Sequence, residues 1–155
     1  MTSATGYSGK ALAQKLGITS WARVKTRNAP ANYQQLLGGL PNDVTLSPRL
    51  RRPVDLVHIF SIARAHLLPE LRHAIHEIEQ DGAIWVSWPK KASAVRTDIT
   101  EDVIREVALP MGLVDVKVCA VDETWSGLKL VIRRANRKPS HEGHEGNRRP
   151  RRKNH

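Results

Sequence analysis

The residues best suited to chemistry crowd into one stretch, Trp88-Pro89-Lys90-Lys91-Ala92-Ser93, and the Thr97-Asp98-Ile99-Thr100 that follows. Two adjacent ammonium groups with hydroxyls from Ser93, Thr97 and Thr100 suit an anion: the lysines supply charge, the hydroxyls hydrogen bonds. Asp98 adds a carboxylate for proton transfer if there is a reaction. The competing reading is a solvated loop whose hydroxyls cap the next helix. Asp122 and Glu123 in "DETWSG" form a second acid–base candidate, but no partner is visible beside them. They read better as a hairpin turn with Trp125 folded over the sheet edge. His73 and His76, near Glu77 and Glu79, and the pair His141 and His144 have ligand-type side chains. A metal site needs three or four placed ligands with outer support, so no metal is expected. No nucleophile elbow, P-loop or HExxH pattern occurs. Cys119 stands alone inside "VDVKVCAV" and reads as a packed core thiol without a disulfide.

These residues need elements to hold them. The chain alternates strand-like and helix-like segments, which predicts an α/β domain. Ser8 caps a short helix that Gly17 ends. "ARVKTRNAP" is strand one, "NYQQLLGG" a short helix after Asn32, and "DVTLS" strand two. Val54–Phe60 is strand three, an almost unbroken apolar run as in a sheet covered on both faces. An amphipathic helix places Leu67, Leu68, Leu71, Ile75 and Ile78 on one side, with Pro69 opening a second helical piece. "GAIWVSW" is strand four. Helix "TEDVIREVAL", capped by Thr100 or by Asp98 with Glu101, buries Val103, Ile104 and Val107. "VDVKVCAV" and "LKLVIRR" lie too close together for a parallel crossover and pair as an antiparallel hairpin. Ligands of open α/β sheets sit beyond the carboxyl ends of the strands. That placement adds Asn28 to the anion set, together with a helix N-terminus.

The chain of 155 residues suits one domain. Its formal charge of +10 is unevenly spread: from Arg133 onward there are nine Lys and Arg against two Glu. Three parts are expected: a flexible segment over 1–7, the α/β domain over 8–134, and a disordered basic tail over 135–155. The tail lacks aromatics to stack bases. Nucleic acid would therefore bind weakly and non-specifically through Arg148, Arg149, Arg151, Arg152 and Lys153, in a salt-sensitive way. No stretch is apolar enough to span a membrane, and "MTSATGYSGK" lacks the features of a secretory signal. With one cysteine, the expected compartment is the cytoplasm.

"NAPANYQQLLGGLP", "DLVHIF", "WVSWPKKASAVRTDITEDV" and "VCAVDETWSGLKLVIRR" resemble a bacterial family known only as a domain of unknown function, number three thousand and fifty-two. The resemblance spans most of residues 6–133. Such proteins look like reduced Rossmann-like methyltransferases. Dropping the third strand–helix unit from the methyltransferase order, with right-handed crossovers and the final hairpin, implies a mostly parallel six-stranded sheet in the order 2-1-3-4-6-5. Methyl-transfer chemistry is not expected to carry over. The turn after strand one, "NAPANY", has no Gly, and strand two ends in "TLSPRLRR" without the acid that holds ribose hydroxyls. No cofactor is therefore expected. The leading expectation is a non-catalytic ligand-binding domain, with an anionic small molecule held by Lys90, Lys91, Ser93, Thr97, Asp98, Thr100 and Asn28. The alternatives are a small enzyme acting on a phosphorylated or carboxylated metabolite, and a nucleic-acid-associated protein acting through its tail.

Overall fold

The computed structural model describes residues 10–139. The segment 1–7, Ser8, His141, His144 and the cations Arg148, Arg149, Arg151, Arg152 and Lys153 lie outside the described residues. In chain order the elements are α1 (Leu12–Leu16), β1 (Arg23–Arg27), α2 (Tyr33–Leu37), β2 (Thr45–Ser47), β3 (Val54–Phe60), α3 (Arg64–Glu77), β4 (Ile78–Pro89), α4 (Glu101–Ala108), β5 (Leu113–Ala120) and β6 (Trp125–Ile132).

One six-stranded sheet has the order β2-β1-β3-β4-β6-β5, the order implied by the sequence. β1 pairs in parallel with β2 and β3, and β3 in parallel with β4. β6 runs antiparallel to both β4 and β5. Successive side chains of a strand point to opposite faces, so each inner strand feeds two cores. Val57, Ile59, Ile84, Val86 and Trp88 join Leu67 and Leu71 of α3 and Ile104 of α4. Leu56, Phe60 and Trp85 join Leu12 and Leu16 of α1 and Tyr33 and Leu37 of α2. This double burial explains why β3 and the middle of β4 carry almost no polar residues.

Several local expectations need correction. α1 starts at Leu12 with Ala11 at its cap position and no side-chain cap; its buried Leu12, Ala13 and Leu16 hold it. α3 is one continuous helix with Pro69 inside. Pro69 lies in its second turn, where the missing amide removes one of the first bonds of the ladder, and burial of Leu67, Leu71 and Ala74 outweighs that loss. Leu68, expected in the core, is exposed. β4 begins at Ile78, which belongs to the strand and not to the helix. Past Arg134 the chain stays tied to the domain. Arg137 Nε donates to Ile132 O at 3.1 Å, and the Lys138 amide to Gln80 Oε1 at 2.9 Å. Hydrogen bonding to the rest of the fold thus continues past residue 134. Among the described residues no helix is long and apolar enough to cross a membrane.

Candidate functional site

The parallel strands β1, β3 and β4 deliver their carboxyl ends to one edge. The connections from β1 and from β3 leave in opposite directions, so the crevice between these two strands is the topological switch point where open α/β folds bind ligands. Asn28 stands at its mouth with φ 60, the left-handed conformation that glycine supplies in nucleotide-binding turns. Asn is among the few other residues that adopt it readily, so a turn without Gly still turns. The side chain then bridges the crevice, with Nδ2 3.4 Å from Phe60 O and 3.3 Å from Glu70 Oε2. Beside it, Arg27 Nη2 and Lys25 Nζ meet Glu77 Oε2 at 2.6 and 2.9 Å, and Arg27 Nη1 lies 3.6 Å from Glu70. Burial alone would raise the Glu77 carboxyl, but hydrogen bonds from Arg27 and Lys25 overcome it and hold its pKa below the usual value. At the switch point, Asn28 is thus engaged with the protein's own groups.

The loop after β4 is braced rather than loose. The Lys90 amide donates to Thr124 O at 2.7 Å, tying the loop to the β5–β6 hairpin. Ser93 Oγ donates to Lys90 O at 2.7 Å and accepts from the Val95 amide at 3.2 Å, around a left-handed Ala94. Thr97 Oγ1 donates to Ile62 O at 2.7 Å and accepts from the Ile99 amide. Asp98 Oδ1 accepts the Arg64 amide at 2.7 Å, so it sits on the amino terminus of α3. Thr100 Oγ1 accepts the Val103 amide and caps α4, whose first turn also carries Glu101 and Asp102. Both helix N-termini near the loop are therefore engaged by side chains of the chain itself, and they do not supply the anion contact expected of them. Asn28 has separate partners at the β1–β3 crevice. Of the expected set, Lys90 and Lys91 alone keep their side-chain polar groups free of a partner among the described residues.

The "DETWSG" candidate is a turn. Asp122 Oδ1 accepts the Thr124 and Trp125 amides, both at 2.8 Å, and Trp125 meets Phe60 edge-on at 5.0 Å. Cys119 is half-buried and burial pushes its thiol pKa up, which suits a packed thiol. His76 Nδ1 bonds Arg72 O. Among the described residues no three His, Cys, Asp or Glu side chains form a ligand cluster.

Sequence reasoning missed one constellation. His58 of β3, fully buried, lies between Tyr33 OH at 2.8 Å on Nδ1 and Ser87 Oγ at 2.8 Å on Nε2. Burial lowers the His58 pKa to about 3, so the ring is neutral, with one nitrogen donating and the other accepting. The spacing resembles a serine–histidine dyad. Ser87 is also fully buried, and the histidine stacks on Phe60 at 4.4 Å, so the hydroxyl is shut off from solvent. The line is a polar brace joining α2, β3 and β4. Its signal was present: a histidine in an otherwise apolar buried strand must find partners.

S-adenosylmethionine, which the methyltransferase resemblance brings to mind, does not fit these residues. Asn28 bridges the crevice where backbone would have to approach the cofactor. β2 ends at Ser47 and is followed by Pro48 and Arg49, with no acid for ribose hydroxyls.

Comparison with solved structures places the fold. The chain is similar to a SAM-dependent methyltransferase from Aquifex aeolicus, with TM-score 0.56 and 11% identity over 77% of this chain and 87% of that one. It is similar to TrmN from Thermus thermophilus, with TM-score 0.50 and 13% identity over 78% of this chain, and it spans 47% of that protein. At such identities the likeness is one of fold: Rossmann-like, of the methyltransferase kind. No curated protein matches. Residues 54–134, from β3 through the loop of Lys90 and Lys91 to the end of the hairpin, match the family described as Protein of unknown function (DUF3052), and the chain belongs to that family.

Proposed function

We propose that the protein is a non-catalytic, Rossmann-like binding domain that holds an anionic small molecule on the loop after β4 through Lys90 and Lys91. One observation carries the reading. Lys25, Arg27, Arg64 and Arg105 are each engaged with carboxylates, whereas the two neighbouring lysines have no such partner among the described residues. The backbone of Lys90 is also fixed, its amide by Thr124 O and its carbonyl by Ser93. Rigid presentation lowers the ordering cost of binding. Two observations support the non-catalytic part of the reading: the His58–Ser87 pair is buried, and Asp98 is bonded to the Arg64 amide. The reading places the domain in the cytoplasm, where an unpaired thiol such as Cys119 is stable.

The test is a thermal-shift screen of the full chain against inorganic phosphate, pyrophosphate and a panel of phosphorylated and carboxylated metabolites. At least one should raise the melting temperature by mass action. Lys90→Ala with Lys91→Ala should remove that shift while changing the stability of the free protein by no more than about 0.5 kcal/mol. If no anion shifts the wild type, or the double variant responds as the wild type does, the reading fails. Turnover of the ligand by purified protein would favour a small enzyme using the same lysines with Asp98.

A further inference from the structure

We propose a second ligand site at the opposite end of the sheet. It is a cavity at the amino ends of β3 and β4 that takes a small zwitterion, an amino acid or betaine, with its ammonium against Trp21 and Asp81 and its own carboxylate at Lys129. The cavity measures about 310 Å³. That is the small end of the range for ligand sites. It forms where the segment Gly17–Ala22 passes the first residues of β3 and the stretch Asp81-Gly82 of β4, beside the irregularity in the β3–β4 register.

Three features build it. Gly17 ends α1 at φ 83, and a Cβ there would lie 3.9 Å from Lys129 Nζ, so the ammonium stands over the bare backbone. Lys129 lies opposite Trp85 in the β4–β6 ladder, which puts its stem on the α1 face of the sheet. Its ammonium has no partner among the described residues. Gly82 lets β4 press against β3: a Cβ would fall 2.9 Å from Asp55 O, a distance that side chains do not tolerate. The close approach brings residues 55 and 81 to one cavity. The Asp55 carboxylate accepts the Arg23 amide at 2.8 Å and is engaged within the protein, whereas Asp81 is exposed.

Trp21 is the independent observation. Its φ is 70, in a region a bulky residue rarely adopts, and it remains 40% exposed at the cavity wall. Its amide is held by Asn42 O at 3.1 Å, which fixes the unfavourable backbone. Leaving a large indole in water on strained backbone gives folding nothing in return, and strain of this kind gathers at ligand sites. An indole face attracts ammonium groups. The lining also sorts ligands by charge. A simple anion meets Asp81, and a simple cation meets Lys129. A molecule carrying both charges satisfies both ends.

The test titrates the full chain with the common amino acids and glycine betaine, following heat and tryptophan fluorescence. At least one should bind saturably with a dissociation constant under about 1 mM. Trp21→Gly removes the indole while suiting the positive φ, so the melting temperature should hold or rise while affinity falls at least about tenfold. Lys129→Met should weaken the zwitterion but not the matching amine that lacks a carboxylate. Lys90→Ala with Lys91→Ala should leave this binding unchanged, which separates it from the anion site. The inference is overturned if no zwitterion binds, if Trp21→Gly binds as tightly as wild type, or if the amine alone binds as well as the amino acid.

Discussion

At the carboxyl ends of the parallel strands, polar side chains answer one another; at the amino ends they face an open cavity. Asn28 bridges β1, β3 and α3, Arg27 Nη1 lies 3.6 Å from Glu70, and Thr97 and Asp98 pin the start of α3. Across the sheet, Trp21, Asp81 and Lys129 line a void of about 310 Å³. The fold alone would have pointed to the first end. The difference teaches that a site belongs to the unspent groups a fold presents and not to the fold itself. Of the ligand set expected at the carboxyl edge, Lys90 and Lys91 are the members whose side chains have no partner among the described residues.

The comparison breaks most sharply at the buried brace. If the carboxyl half is held by internal polar pairing, acid should undo it. The His58 pKa is lowered from 6.5 to about 3 in the folded chain. The unfolded chain therefore binds the extra proton below pH 6.5, and stability falls as the pH drops through the window from 6.5 toward 3. At roughly pH 5 the loss should be about 2 kcal/mol relative to neutral pH. His58→Asn removes the titrating ring, so its stability, lower at neutral pH, should flatten over the same window. Urea denaturation at several pH values gives both curves; parallel curves for wild type and variant would show that His58 is not the sensor.

A smaller effect sharpens the assignment of the loop hydroxyls. Thr97 Oγ1 serves Ile62 O and the Ile99 amide. Thr97→Val keeps the shape and loses both bonds, so it should cost about 1 kcal/mol of stability. It should leave the anion-induced thermal shift of the wild type in place. Loss of that shift without loss of stability would return Thr97 to the ligand set.

The sheet order was legible because right-handed crossovers, and a loop between β5 and β6 too short for anything but a hairpin, agree with the strand order that the methyltransferase resemblance implies. Helix ends were less legible. Pro69 reads locally as a break, yet the apolar face of α3 carries the helix through it. The site was legible only in part. Lys90 and Lys91 could be picked out by charge, but the employment of Ser93, Thr97, Asp98 and Thr100 depends on backbone groups that only the folded loops bring near. Short hydroxyl and carboxylate side chains beside a helix start usually serve local amides. The amino-end cavity left no linear trace, since it gathers residues 16–22, 55–56, 81–83 and 129 from four parts of the chain.

The smallest expected change tests what closes the switch point. Asn28→Gly restores the residue that a nucleotide-binding turn uses. It loses two long hydrogen bonds, to Phe60 O at 3.4 Å and Glu70 Oε2 at 3.3 Å, and gains relief at φ 60. These oppose each other, so stability should move by less than about 1 kcal/mol in either direction. The variant opens the crevice without supplying the acid that β2 lacks, since Ser47-Pro48-Arg49 follows the strand where a ribose would need a carboxylate. Calorimetric titration with S-adenosylmethionine should therefore show no binding for wild type or for Asn28→Gly. Binding by the glycine variant alone would mean that the Asn28 bridge is the sole barrier. Micromolar binding by the wild type would mean that the closed crevice opens for the cofactor and that the methyltransferase reading stands.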